Sequence, residues 1–195
     1  MNCIINKTNL NRIKRKMEAL DNQREKLIKK SRDIIKLSKQ IIYAVHRKDL
    51  KTAAKYIASI KKEVAILKRI VRANRKLDIG SYKAAIQEYV EAICYYSFVK
   101  QNKIPTSNVL DVDEEYYLLG LCDLTGELTR KAINLTIAGK YVEAFKIKNF
   151  VSELYDILMQ FDFRTSELRK MVDGMRYDVK RLDDLVLALK MKDLI

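Results

Sequence analysis

Asp123 and Glu127 stand four residues apart in Leu121-Cys122-Asp123-Leu124-Thr125-Gly126-Glu127-Leu128, inside a helical pattern from about Asp113 to Ala138. On a helix that spacing puts both carboxylates on one face, one turn apart. Upstream, Gln87-Glu88-Tyr89-Val90-Glu91-Ala92 repeats the arrangement, with Glu88 and Glu91 three residues apart and again on one face. Two antiparallel helices, each carrying such a pair among apolar residues, would gather four carboxylates. Crowded anions raise one another's pKa or push their helices apart. A hard divalent cation such as Mg²⁺ or Mn²⁺ relieves the repulsion, because such ions take oxygen ligands. Carboxylates at this spacing also line ordinary solvated helix faces, so spacing alone leaves both readings open. Two of the five glycines, Gly120 and Gly126, flank the second pair. A glycine inside a helix costs roughly 0.5–1 kcal/mol relative to alanine, and what it returns is close approach, by another helix or by a ligand.

The elements that must position these residues all read as helices. With 5 Gly and 1 Pro in 195 residues, turn chemistry is sparse, and Leu, Ile, Lys, Ala and Glu dominate, as in an all-α protein. A first helix is expected from Thr8 or Asn9 to about Arg47. Its small or apolar positions are Ile13, Met17, Leu20, Leu27, Ser31, Ile34, Ser38, Ile41 and Val45, alternating four and three apart once Arg24 fills the gap. That is a heptad seam. The serines and the arginine weaken it for a two-stranded coiled coil and suit it to a long helix packed across a bundle or between subunits. Asp49 is placed to cap a second helix, Leu50 to Leu77, striped by Ala54, Ile57, Ile60, Val64, Leu67 and Val71. Gly80 and Ser81 read as a turn and N-cap for a helix from Tyr82 to about Gln101, stopped by Pro105. Thr106 or Ser107 caps a short turn through Leu110. Asp111 with Glu114 resembles a capping box for the helix of Asp123, which Gly139 closes. A further helix covers Lys140 to about Phe161. A last one, capped by Thr165 or Ser166, carries a second seam through Leu168, Val172, Met175, Val179, Leu182, Val186 and Leu189. The expected product is one domain over residues 1–195, flexible at residues 1–8, with six long helices, one short one and no strand.

The formal net charge of +14 is unevenly spread. Residues 1–80 hold 23 Lys/Arg against 7 Asp/Glu, whereas residues 81–195 hold 16 against 18. A basic body beside a carboxylate-bearing one points to a polyanionic partner, with nucleic acid ahead of a merely solubilising Lys-rich surface. Candidate phosphate contacts are Arg69, Arg72, Arg75, Lys76 and Lys83, near the start of the helix of Glu88. The charges surround the first helix instead of forming one polar face, which ranks a membrane surface low. No apolar run approaches the ~18 residues of a membrane span, and no signal-peptide core is evident. Cys3, Cys94 and Cys122 are odd in number and lack metal-ligand spacing. Cys94 and Cys122 read as small core residues, and the set fits a reducing, cytoplasmic compartment. Tyr89, Tyr95, Tyr96, Tyr116 and Tyr117 read as core or interface residues ahead of base-stacking platforms. The single histidine, His46, is far from both motifs in sequence. A ferritin-like di-metal oxidase needs Glu-x-x-His on two helices, which one histidine, preceded three residues earlier by Tyr43, does not supply.

Arg24-Glu25-Lys26-Leu27 through Ser31-Arg32-Asp33-Ile34 to His46-Arg47 resembles the first helix of the translin/Trax family. The Glu88 motif, and Tyr117-Leu118-Leu119-Gly120 continuing into the Asp123 motif, are similar to its Trax-like branch. Asp173-Gly174-Met175-Arg176-Tyr177-Asp178-Val179-Lys180 has the style of the translin ending. The resemblance covers about Arg24 to Lys192. It implies a seven-helix, translin-like bundle assembled into a closed, often octameric, shell that encloses RNA. For the Trax-like branch it implies a metal-dependent endoribonuclease, expected here to act on single-stranded RNA with Mg²⁺ or Mn²⁺ as cofactor. Glu88, Glu91, Asp123 and Glu127 match all four carboxylates of that site. Glu91 and Glu127 are expected as direct ligands, with Glu88 and Asp123 as ligands or as groups orienting water. Relative to the eukaryotic branch the chain is expected to lack the longer N-terminal extension and the inter-motif insert, and it resembles an archaeal-type, self-assembling form. A translin-like subunit and single-stranded DNA are the other partners to test. The alternative function is a non-catalytic shell that binds single-stranded nucleic acid through its basic part.

Overall fold

Helix formation follows the apolar periodicity closely. The computed structural model describes residues 6–77 and 79–194. Among them the elements run α1 (Lys7–His46), α2 (Leu50–Ala73), a 3-10 turn (Arg75–Leu77), α3 (Gly80–Gln101), α4 (Ser107–Leu110), α5 (Glu114–Ile137), α6 (Tyr141–Met159) and α7 (Ser166–Lys190). Six long helices, one short one and no strand among the described residues match the expected all-α bundle. Residues 1–5, including Cys3, lie outside the described residues. The Asn6 side-chain oxygen accepts from the Asn9 N–H at 2.9 Å, and α1 begins at Lys7.

Asp49 caps α2 as expected, accepting from the Thr52 N–H at 3.0 Å. The end of α2, the start of α3 and the cap of α5 differ from the sequence reading. Helix α2 ends at Ala73, because Asn74 turns to an extended conformation and its side-chain oxygen takes the Lys76 N–H. Its inner face carries Ala53, and Ala54 is exposed. Helix α3 begins at Gly80 with Ile79 at the cap position, so Ser81 lies inside the first turn and does not cap it. It ends at Gln101, as expected, closed by a left-handed Asn102 (φ 55°). Helix α5 is capped by Asp113, which accepts from the Glu115 N–H, and not by Asp111. Asp111 instead adopts φ 52° to close α4, which leaves its carboxylate facing Lys68 and Arg72. Gly139 follows the end of α5 in the expected way, at φ 72°, a conformation that costs glycine nothing.

Helices α3 and α5 form the centre. Helix α1 packs on α2 and α3, α3 packs on α5, and α6 and α7 pack on α5 and on each other. A large apolar core that includes Leu27, Ile34, Ile60, Leu67, Ile86 and Leu124 joins α1, α2, α3 and α5 and extends to α6. A smaller cluster of Leu119, Cys122, Leu158, Leu168, Val172 and Met175 seals α7 onto α5 and α6. Burial of these side chains, at roughly 1.5–3 kcal/mol each, is the main favourable term holding the layers together. The α1 seam is buried from Leu27 onward, but Ile13 and Met17 remain exposed. At 1.5 Å per residue, α1 is longer than the surface its own chain offers it. None of the helices among the described residues is long and apolar enough to cross a membrane.

Candidate active site

The two carboxylate-bearing helices cross at Gly120. A Cβ there would lie 2.6 Å from the Val90 Cβ and 2.8 Å from the Gln87 carbonyl oxygen, well inside van der Waals contact. Glycine therefore lets the α5 backbone rest directly on α3. That answers one of the two glycines by helix approach. Gly126 is different: the nearest atom to its Cβ position is the Asp178 Oδ2 at 3.9 Å, so packing does not require it. At the crossing, Gln87 Nε2 donates to Asp123 Oδ2 at 2.6 Å and ties the motif helices together. Thr125 donates to Asp178 Oδ2 at 2.8 Å and ties α5 to α7.

Around this crossing all four predicted carboxylates interact. Glu91 is the most enclosed, at 9% exposure; burial, reinforced by the charges of Asp123, Glu88 and Glu127, pushes its carboxyl up to about 8. Burial also raises Glu88, as do Asp123 and Glu127, while Lys39 of α1 pulls it the other way. Burial raises Asp123, and the hydrogen bond from Gln87 partly offsets this. Glu127 faces His46, with Nε2 2.5 Å from its Oε2, and Arg130 lies 3.9 Å from the same oxygen. The other ring nitrogen of His46, Nδ1, is 3.1 Å from the Tyr95 hydroxyl. A cavity of about 240 Å³ adjoins Asp123, bounded by Cys122, Gly126, Lys170, Gly174 and Asp178 among others.

Among the described residues, no three His, Cys, Asp or Glu side chains are gathered tightly enough, as they stand, to enclose a cation. The donor chemistry nonetheless fits a hard divalent ion. The site offers carboxylate oxygens that repel one another and are partly withdrawn from water, and a cation would relieve both penalties.

The five basic candidates separate into two kinds. Arg72 is engaged by both carboxylate oxygens of Asp111, at 3.1 and 3.0 Å, and Lys83 lies between Glu115 and Glu167. Arg69, Arg75 and Lys76 are exposed. Lys68, which directly precedes Arg69, is buried and donates to the carbonyl oxygens of Leu110 and Asp111. Tyr89 and Tyr95 are core residues and Tyr96, Tyr116 and Tyr117 are half-buried, as their amphipathic pattern suggests. Cys94 and Cys122 are buried free thiols, both raised to about 12 chiefly by burial.

Sequence reasoning misses His46 and Lys39. His46 is remote from both motifs along the chain, yet it touches Glu127 across 81 residues. A signal exists: Lys39, Ile42 and His46 share a helical stripe beside the α1 seam, and Ile42 is buried.

The profile of the Translin family matches residues 22–193. Translin of Gallus gallus is 36% identical over 83 residues, which are 43% of this chain and 36% of that protein. Translin-associated protein X of Pongo abelii is 27% identical over 143 residues, covering 55% of this chain and 48% of the relative. The chain thus spans from about a third to about half the length of these curated relatives. Among solved structures, apo-NeC3PO superposes with a TM-score of 0.87 at 27% identity, covering 95% of this chain and 98% of that one. The complex of AfC3PO with duplex RNA gives 0.81 at 25% identity, with 95% and 98% covered.

Proposed function

Because the chain belongs to the Translin family, we propose that it binds RNA and is a metal-dependent endoribonuclease, cleaving single-stranded RNA at Glu88, Glu91, Asp123 and Glu127 with Mg²⁺ or Mn²⁺. The observation that carries this reading is the α3–α5 crossing at Gly120, where a mid-helix glycine lets the helices approach and four carboxylates fall within electrostatic range of one another. A bound divalent cation would supply a water of lowered pKa and offset charge on the phosphate. Glu91 and Glu127 are the proposed ligands. Glu88 and Asp123 complete the shell or orient water, with Gln87 fixing the Asp123 carboxylate from α3. Glu91 must release its proton to take a cation, and because burial and its acidic neighbours raise its carboxyl to about 8, a cation would favour that release. Lys39 adds a positive charge at the exposed edge of the site. The structure of AfC3PO in complex with duplex RNA supports nucleic-acid binding by this fold. Self-association into a closed shell, an octamer or an assembly with a translin-like subunit, fits the uncovered start of the α1 seam at Ile13 and Met17.

The test is cleavage of a labelled single-stranded RNA with Mg²⁺ or Mn²⁺ and then with EDTA, comparing wild type with Glu127→Ala. Metal-dependent cleavage that the substitution abolishes, with RNA binding retained, supports the reading. Cleavage of equal strength by a rigorously purified Glu127→Ala protein refutes it. Binding without cleavage by either protein favours the non-catalytic shell, to which the excess of Lys/Arg in residues 1–80 already lends weight.

A further inference from the structure

His46 closes the last turn of α1, the helix that packs on α3, and its side chain is 12% exposed. Its two ring nitrogens meet two different groups: Nε2 lies 2.5 Å from Glu127 Oε2 on α5, and Nδ1 lies 3.1 Å from the Tyr95 hydroxyl on α3. Tyr95 is fully buried, and follows Glu91 by four residues on the same helix. The rings of His46 and Tyr95 also pack, with centroids 5.0 Å apart. An ionised carboxylate accepts hydrogen bonds and donates none, so the Nε2 contact requires a proton on Nε2. In the neutral imidazole Nδ1 is then bare and accepts from Tyr95. Burial raises the Tyr95 phenol above its ordinary range, which keeps that hydroxyl a donor.

We infer that His46 is a positioning residue: Tyr95 fixes its Nε2–H tautomer, and His46 in turn holds Oε2 of Glu127, leaving Oε1 as the oxygen available to a cation. The inference rests on the proposed four-carboxylate site for its consequence, but the hydrogen-bonded relay itself needs no metal. A glutamate has several rotatable bonds, and holding one oxygen orders the side chain before a ligand arrives. Outer partners of metal ligands act in this way, and their removal typically weakens metal binding about 10–100-fold. The geometry gathers one residue from each of three helices, so the carboxylate is oriented by α1 and α3 as well as by its own helix.

The chain has a single histidine, which makes the relay directly visible. Long-range ¹H–¹⁵N spectra of the full chain with ¹⁵N-labelled histidine, recorded as a pH series and read where the ring carries a single proton, should show that proton on Nε2 and Nδ1 bare. Tyr95→Phe, which removes only the hydroxyl, should shift the Nδ1 resonance. A singly protonated ring in the wild type with its proton on Nδ1 overturns the inference. A second arm measures Mn²⁺ affinity from the free-ion paramagnetic signal, with helicity checked by circular dichroism. His46→Leu should bind at least about tenfold more weakly than wild type, and His46→Gln, which keeps an N–H donor, should recover the affinity. Wild-type affinity in a folded His46→Leu protein overturns the positioning role while leaving the carboxylate site standing. Absence of Mn²⁺ binding by wild type, or equal binding by Glu127→Ala, takes down the proposed site, and the positioning role with it, whatever the tautomer.

Discussion

The acidic residues at the α3–α5 crossing and the basic residues along α1 and α2 are handled in opposite ways. At the crossing, carboxylates are withdrawn from water and set against one another, and Glu91 is raised to about 8 as a result. Along α1 and α2 most cations project into solvent, where each is hydrated at little cost; Arg69, Arg75 and Lys76 are of this kind. The basic region has the larger charge, but the acidic region has the costlier one. A charge kept where it destabilises the fold is stronger evidence of a task than a charge kept where it is free. Lys68 is the exception on the basic side: it is buried because two backbone carbonyls at the end of α4 use it as a donor.

The largest effect should come from Gly120→Val. The added side chain starts 2.6 Å from Val90 Cβ, so the helices must part. Urea unfolding should show a loss of about 3 kcal/mol or more, and metal-dependent cleavage should fall with it. Gly174→Ala, whose Cβ would meet nothing within 4 Å, should instead stabilise α7 by about 0.5–1 kcal/mol. Equal responses at the two glycines would break the case for a required close approach.

Next in size is the pH dependence caused by Glu91. Its carboxyl titrates near 8 in the folded chain, against an ordinary value of 4.5. Between those values the folded chain retains a proton that the unfolded chain has released, so stability is full below the lower value and falls as pH rises toward the upper one. In EDTA the loss should approach on the order of 1 kcal/mol per pH unit within that window. Glu91→Gln should flatten the slope, and added Mn²⁺ should oppose it. A wild-type stability that is level with pH would show that Glu91 is better solvated than its surroundings indicate.

Lys68→Met should cost roughly 1–3 kcal/mol, because the Leu110 and Asp111 carbonyls lose their buried donor. Thermal or urea unfolding would measure it. Smallest are the exposed cations: Arg69→Ala, Arg75→Ala and Lys76→Ala should each change stability by no more than about 0.5 kcal/mol. If they contact phosphate, each should lower the slope of log affinity for RNA against log salt by about 1. A stability loss at Arg69 comparable to that at Lys68 would erase the distinction between the two kinds of cation.

Much of this protein is legible in one dimension. Helix number and most limits follow from apolar spacing and from caps whose partners lie within a few residues, as at Asp49, Thr106 and Gly139. The pairing of Glu88 with Glu91 and of Asp123 with Glu127 needs only the helical repeat. The cap of α5 is instructive, because Asp111 and Asp113 are equivalent by type; Asp111 closes α4 and its carboxylate is claimed by Lys68 and Arg72, some forty residues earlier. Tertiary structure alone decided that Gly120 serves a helix crossing and Gly126 does not, that Lys68 is interior, and that His46 and Tyr95 converge on Glu127. The division has a physical cause. Local hydrogen bonds and periodic burial are set by residues a turn or two away. Which face of one helix meets another, and so which distant polar groups must satisfy each other in a dry interior, is settled only when the helices pack.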